Sequence, residues 1–273
     1  MPIVDPLITP ATDIDRWTPR QRPAHPPAGW QSWRELLFLH WEVDPQVVRP
    51  LVPEPLQLDL VGGRAFIGLV PFQMANVRSV RWPWRLTADF GETNVRTYVI
   101  HRGRPGVYFL SLDAASLLAT LGARIGWGLP YFWSRISSQR TGSQVHYRVD
   151  RHFNGARLQV AYELLAPAAP LSETAPPAKS VGRAEAVAEI ESPGPAGLAD
   201  FLLERYLLFV VRGGRVWEGQ VHHRPYPVSP VRLLSVEQTL LTAAGISTDG
   251  AWPDHVHWSP GVDVEIFPLR RVV

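Results

Sequence analysis

Phe90-Gly91-Glu92-Thr93-Asn94-Val95-Arg96-Thr97-Tyr98-Val99 carries a polar or charged side chain at every second position. Side chains of an extended chain alternate between faces, so Glu92, Asn94, Arg96 and Tyr98 share one face. Thr93, Val95, Thr97 and Val99 form the other. Neighbours on one face stand about 7 Å apart, so one small ligand can touch two of them. Such a face is either a polar cavity wall with Glu92 as acid or base, or a solvent-facing or salt-bridged ladder. Spacing alone leaves both readings open.

Similar strand-like runs surround this one: Arg64–Val70, Gln144–Asp150, Arg157–Leu164, Tyr206–Arg212 and Val216–His222. Between them sit Gly62-Gly63, Thr141-Gly142, Asn154-Gly155 and Gly213-Gly214, pairs that tolerate the positive φ of tight hairpins. His255–Phe267 reads as a strand broken near Pro260-Gly261. Helical signals are fewer. Asp44-Pro45 caps a short helix through about Leu51. Asp113–Gly126 carries Leu117, Leu118, Leu121 and Ile125 at helical spacing, with Asp113 as its cap. Gly197–Arg205 and Val236–Ala244 read as short helices, the second ended by Gly245. The pattern predicts a mainly β, α+β chain built on a largely antiparallel sheet, with an all-β fold as the neighbouring class. Closure into a barrel would remove exposed edges.

Apolar residues make up 45% and charged residues 19% of 273 residues, a globular balance. Residues 1–29 are Pro-rich and polar and are expected to form a poorly ordered or surface-draped arm, leaving 30–273 as one domain. Ala166–Lys179 reads as a Pro/Ala-rich loop. No apolar run is long enough to span a membrane as a helix, and no secretory leader is evident, so the expected location is cytoplasmic. The net charge is only +2, and the arginines are scattered among acids rather than gathered in a block. That argues against nucleic acid as a partner. With no cysteine, thiolate nucleophiles and cysteine metal sites are excluded. Lys179 is the only lysine.

Two further sets of stretches carry a resemblance. Arg34-Glu35-Leu36-Leu37 through Val43-Asp44-Pro45, then Val52-Pro53-Glu54-Pro55-Leu56, resembles the opening of acetoacetate decarboxylases, and Phe90–Val99 resembles their glutamate-bearing strand. Ala123-Arg124 through Gly128-Leu129-Pro130-Tyr131 is similar to their arginine, aromatic, proline, lysine segment. More closely, Asn94–Val99, Phe109–Ala114 and His222-His223-Arg224-Pro225-Tyr226-Pro227 resemble the YqjF-like family of uncharacterised proteins, in the acetoacetate decarboxylase-like superfamily. The resemblance spans about Trp33 to Phe267.

It implies a cone-shaped β-barrel around a closed cavity, commonly in a homo-oligomer. By position, the decarboxylase's active-site arginine falls on Arg34, its glutamate on Glu92 and its Schiff-base lysine on Tyr131. A phenol can donate a hydrogen bond but cannot form an iminium, and Lys179 sits far from the matched motifs. Amine chemistry is therefore not expected, and no cofactor is implied. The site set is then Glu92 and Tyr131 as reacting groups, with Arg34, Asn94, Arg96 and Arg124 as ligand contacts.

Each member has a plainer alternative. Arg34 pairs a carboxylate or scaffolds a neighbouring acid; Arg124 complements a helix C-terminus; Tyr131 packs in the core. Trp82, Trp84, Trp127 and Trp133 wall an apolar pocket or fill the core. His222-His223 and His255-Val256-His257 place two imidazoles at metal-sharing spacing, but a third ligand is not fixed and structural histidines are the simpler reading. The leading function is acid/base chemistry on a small organic acid, lyase or hydrolase, without a Schiff base. The alternatives are a non-catalytic small-molecule binder and a structural protein with a filled barrel.

Overall fold

The computed structural model describes residues 14–80, 82–85, 89–116, 128–165 and 197–272. The first half of the fold comprises β1 (Gly29–Val43), α1 (Pro45–Val48), β2 (Gln57–Leu58), β3 (Ala65–Ser79), β4 (Trp82–Arg85), β5 (Phe90–His101) and β6 (Arg104–Ala114). Then follow β7 (Tyr131–Thr141), β8 (Gln144–Arg151), β9 (Arg157–Leu164), α2 (Leu198–Leu203), β10 (Leu207–Arg212) and β11 (Arg215–His222). β12 (Val231–Gln238), α3 (Leu240–Ala243), β13 (His255–Ile266) and β14 (Arg270–Arg271) complete the chain. The fold is mainly β with few, short helices. No described helix is long and apolar enough to cross a membrane.

One sheet runs β12-β9-β8-β7-β6-β10-β11-β13-β1-β3-β5-β2, and β5 also pairs with β6. That last pairing brings the sheet back on itself. The strands β6, β10, β11, β13, β1, β3 and β5 form a ring, and β7, β8, β9 and β12 leave it as a wing. Most pairings are antiparallel, as expected, but β6 joins both β7 and β10 in parallel. Along one edge of β6, Val107 faces Leu208 of β10, while Leu112–Ala114 face Tyr131–Trp133 of β7. The sheet forks at that strand.

Two cores follow from strand parity. Leu36, Phe38, Phe66, Val70, Phe72, Tyr98 and Val264 pack inside the ring. Leu37, Leu39, Ile67, Leu69, Val95 and Val99 point outward and are covered by Tyr147, Val149, Leu158 and Val160 of the wing and by Leu240 and Leu241 of α3. β5 is buried on both faces, which disposes of the solvent-facing ladder.

Turn chemistry behaves as the sequence indicates. Gly213 and Gly214 both take positive φ between Arg212 and Arg215, a pairing that closes the β10–β11 hairpin. Asp44 Oδ1 accepts from the Gln46 N–H at 2.8 Å and starts α1. Other expectations need correction. Asp113 is no helix cap: it lies within β6, fully buried, against Arg151. The remainder of the expected helix, from Leu117 onward, lies outside the described residues, as do Ala166–Lys179 and residues 1–13. Val236–Gln238 belong to β12, and the helix there is only Leu240–Ala243.

The strand at His255 is not interrupted at Pro260-Gly261; it runs to Ile266. What changes there is facing. Trp258 points outward into the wing core and Val262 inward. β1 changes phase at the paired level, where Glu35 takes φ 53°. Residues 14–28 lie against the ring, with Arg16 on Asp59, Arg20 on Asp200 and Arg22 on Glu265.

Candidate functional site

A cavity of about 210 Å³ lies inside the ring, next to the fork. β5 contributes Glu92, Asn94 and Arg96, and β6 contributes Val107, Phe109 and Leu112. Gln31, Trp33 and Leu36 come from β1, and Val70, Phe72 and Met74 from β3. Tyr131 enters from the first position of β7, and Arg205 and Tyr206 from the link between α2 and β10. Three of the four residues on the polar face of Phe90–Val99 thus line the cavity, while the Tyr98 hydroxyl donates to the Leu202 carbonyl.

Tyr131 Oη donates to Glu92 Oε2 at 3.1 Å. Glu92 is only 3% exposed, and burial pushes its carboxyl up to about 8; the Tyr131 hydroxyl opposes that rise and Asp113 adds to it. An acid in this state carries its proton at neutral pH and gives it up just above. Burial and the Glu92 charge hold the Tyr131 phenol well above its ordinary value, so it stays a donor. The backbone of the same residue is fixed from the wing: Tyr147 Oη donates to the Glu92 carbonyl at 2.9 Å.

Further along β5, Arg96 is buried, and Nη2 donates to the Leu202 carbonyl at 3.1 Å. Its Cζ stands 5.6 Å from the Phe38 ring centre and 5.7 Å from that of Tyr98. Arg96 Nε and Asn94 Oδ1 have no hydrogen-bond partner among the described residues. Buried polar groups are nearly always paired, so both are suited to a ligand.

Arg34 is not on this wall. Trp33 and Leu36 face the cavity, and the positive-φ step at Glu35 turns Arg34 to the outside. There its guanidinium is paired to Asp263 and donates to the Val262 carbonyl at 2.7 Å. The position matched by resemblance therefore yields a surface ion pair. Arg124 lies outside the described residues. Trp33 lines the cavity, while Trp133 lies against the His152 ring at 4.0 Å. Trp127 is outside the described residues.

The histidines are spread out. His223 Nδ1 meets the Arg224 carbonyl at 2.7 Å, and its ring stacks on Tyr206. His255 Nε2 lies 3.2 Å from Glu42 Oε1. Among the described residues no three His, Asp or Glu side chains gather into a metal-holding group.

Sequence reasoning missed Arg205. It sits in Phe201-Leu202-Leu203-Glu204-Arg205-Tyr206-Leu207-Leu208-Phe209, where two charges interrupt an apolar run. Charges in such a setting are buried with partners, and that was the available signal.

Residues 30–263 match the model of the DUF2071 family, described as an uncharacterized conserved protein. The uncharacterized protein YqjF of Bacillus subtilis (strain 168) is 34% identical over 244 residues, 88% of this chain and 91% of that protein. Among solved structures, an acetoacetate decarboxylase from Legionella pneumophila superposes with a TM-score of 0.56 at 12% identity, covering 96% of this chain and 94% of that one. The enduracididine biosynthesis enzyme MppR complexed with pyruvate gives 0.54 at 14% identity, covering 92% and 93%. At these identities the structural likeness establishes the acetoacetate decarboxylase-like fold.

Proposed function

Since the chain belongs to the DUF2071 family of uncharacterised conserved proteins, whose fold is that of acetoacetate decarboxylase, we propose that it performs acid/base chemistry on a small oxo acid without forming a Schiff base. The observation that carries this reading is the buried Glu92 carboxyl, hydrogen-bonded by Tyr131 at 3.1 Å on the wall of a partly open cavity. A general base works best when its pKa lies near the working pH, and Glu92 is raised to about 8.

Glu92 in its ionised form removes a proton from the carbon beside the ligand's carbonyl. The C–H pair becomes the new C=C bond, and the carbonyl π pair moves to oxygen as an enolate. Once Glu92 holds the proton, the Tyr131 hydroxyl turns from Oε2 to donate to that oxygen, and Arg96 faces the acid's anionic group. Return of a proton from Glu92 to that carbon restores the ketone and completes one round of exchange; loss of a leaving group from the next carbon would make it an elimination. Tyr131 stands where the resemblance puts an amine, and this sequence of steps needs none. The pyruvate complex of MppR, a protein of the same fold, supports a short oxo acid as the ligand class.

The test is deuterium uptake in D2O. Purified protein is incubated with pyruvate, 2-oxobutanoate or acetoacetate, and exchange beside the carbonyl is followed by proton NMR. Exchange above the buffer rate, abolished by Glu92→Gln with ligand binding retained, is the expected result. Saturable binding with no exchange for any member of the panel would leave the chain a small-molecule binder and sink the catalytic reading.

A further inference from the structure

The guanidinium groups around the cavity outnumber the carboxylates paired with them. Arg205 Nη1 donates to Asp59 Oδ2 at 2.7 Å. The same carboxylate takes two bonds from Arg16, at 2.8 and 2.6 Å. One acid is thus shared by two arginines. Arg96, 7% exposed, makes no ion pair among the described residues and rests on a carbonyl and two ring faces. Glu92 does not redress the balance, because burial keeps its carboxyl neutral up to about pH 8.

Arg205 is also held in place. Its Nε is fixed on the Phe201 carbonyl at 2.7 Å, and Cζ lies 4.0 Å from the Phe201 ring centre. With Nε and Nη1 committed, Nη2 is buried and has no hydrogen-bond partner among the described residues; the residue lines this cavity and also a second pocket shared with Arg16, Arg20 and Asp200. A buried charge without a full set of partners is costly, and a bound anion removes that cost.

Resting on the small-acid reading of this cavity, we propose that Arg205 is a specificity-determining residue which, with Arg96, binds the ligand's carboxylate, so that the cavity selects a monocarboxylic acid with a short apolar body. Val70, Phe72, Val107, Leu112 and Val221 supply the apolar remainder of the wall, which disfavours a second carboxylate.

Titration calorimetry at pH 7 with 4-methyl-2-oxopentanoate, its neutral amide and 2-oxoglutarate tests this. The wild-type chain is expected to bind the monoacid at least about 10-fold more tightly than the amide or the diacid. Arg205→Met should abolish the preference for acid over amide, and Arg205→Lys should keep part of it. Circular dichroism and the thermal midpoint report whether each variant folds. If Arg205→Met does not fold, the wild-type acid-to-amide ratio and Arg205→Lys decide.

Equal affinity for acid and amide on the wild type would overturn the proposal, as would an Arg205→Met variant that keeps the preference. Tight acid binding without deuterium exchange upholds this inference and sinks the catalytic reading. Exchange of neutral ketones as fast as oxo acids does the reverse.

Discussion

Arg151 lies bidentate on Asp113, Nε to Oδ1 at 2.8 Å and Nη2 to Oδ2 at 2.6 Å, with both side chains almost wholly out of water. The acid belongs to β6 and the arginine to β8, so the pair fastens the wing to the ring at the fork. Ser134 Oγ adds a donor at 2.6 Å, and the guanidinium carbon stands 3.8 Å from the Phe132 ring centre. Removing one partner strands a buried charge. Arg151→Met is expected to lose about 3–5 kcal/mol in urea unfolding. Adding Asp113→Asn should recover part of that loss, because the stranded charge goes with it.

Stability should pass through a maximum near neutral pH. Burial depresses His223 and His257 to about 4 and holds His40 well below its ordinary value. The unfolded chain therefore binds protons there that the folded one refuses, and stability falls on acidification from about 6.5 toward 4. Glu92 has the opposite sign. Its folded value, about 8, lies above the ordinary 4.5, so the native state keeps a proton the unfolded chain has lost, and stability falls as pH rises between them. Glu92→Gln should flatten the alkaline limb by up to about 5 kcal/mol. Urea midpoints from pH 4 to 9 measure both limbs.

Arg34→Gln should be nearly silent. The pair with Asp263 is open to solvent, so the expected cost is at most about 1 kcal/mol. Oxo-acid affinity should not move. Arg96→Gln, in contrast, should weaken monoacid binding about 10-fold or more in the same calorimetric titration.

Gly91→Ala tests the seat of Glu92. A Cβ there would come within 2.4 Å of Ile136 Cγ2 and 3.1 Å of Tyr147 Oη. The wing must then back away from the strand it holds. A loss of about 1–3 kcal/mol in thermal unfolding is expected, together with a shifted Glu92 titration read by carbon-13 NMR of the labelled carboxyl.

The alternation in Glu92–Val99 was legible because a strand between two cores still shows its one polar wall. The hairpin at Gly213-Gly214 was legible from the φ those glycines permit, and the one expected at Thr141-Gly142 turns one residue later, at Gly142-Ser143. β1 was not. Leu36–Trp41 face two apolar cores at once, so no period survives. Asp113 misled because an Ala/Leu-rich run follows it, and a buried ion pair with a residue 38 positions away leaves no local mark. Arg34 misled for a different reason: resemblance transfers a position, whereas facing depends on the backbone at Glu35. Arg205 was hidden because its partner, Asp59, lies 146 residues away.

Because β1 and β13 switch faces at the same level, Glu35 on one and Pro260-Gly261 on the other, the two irregularities are mated. Losing a residue at either place alone would leave its strand reversed relative to its neighbour from there on. A matched pair of deletions would keep both linings intact. A single-residue loss on one strand should therefore lower stability by slipping the seam, and a matched loss on the other should restore part of it.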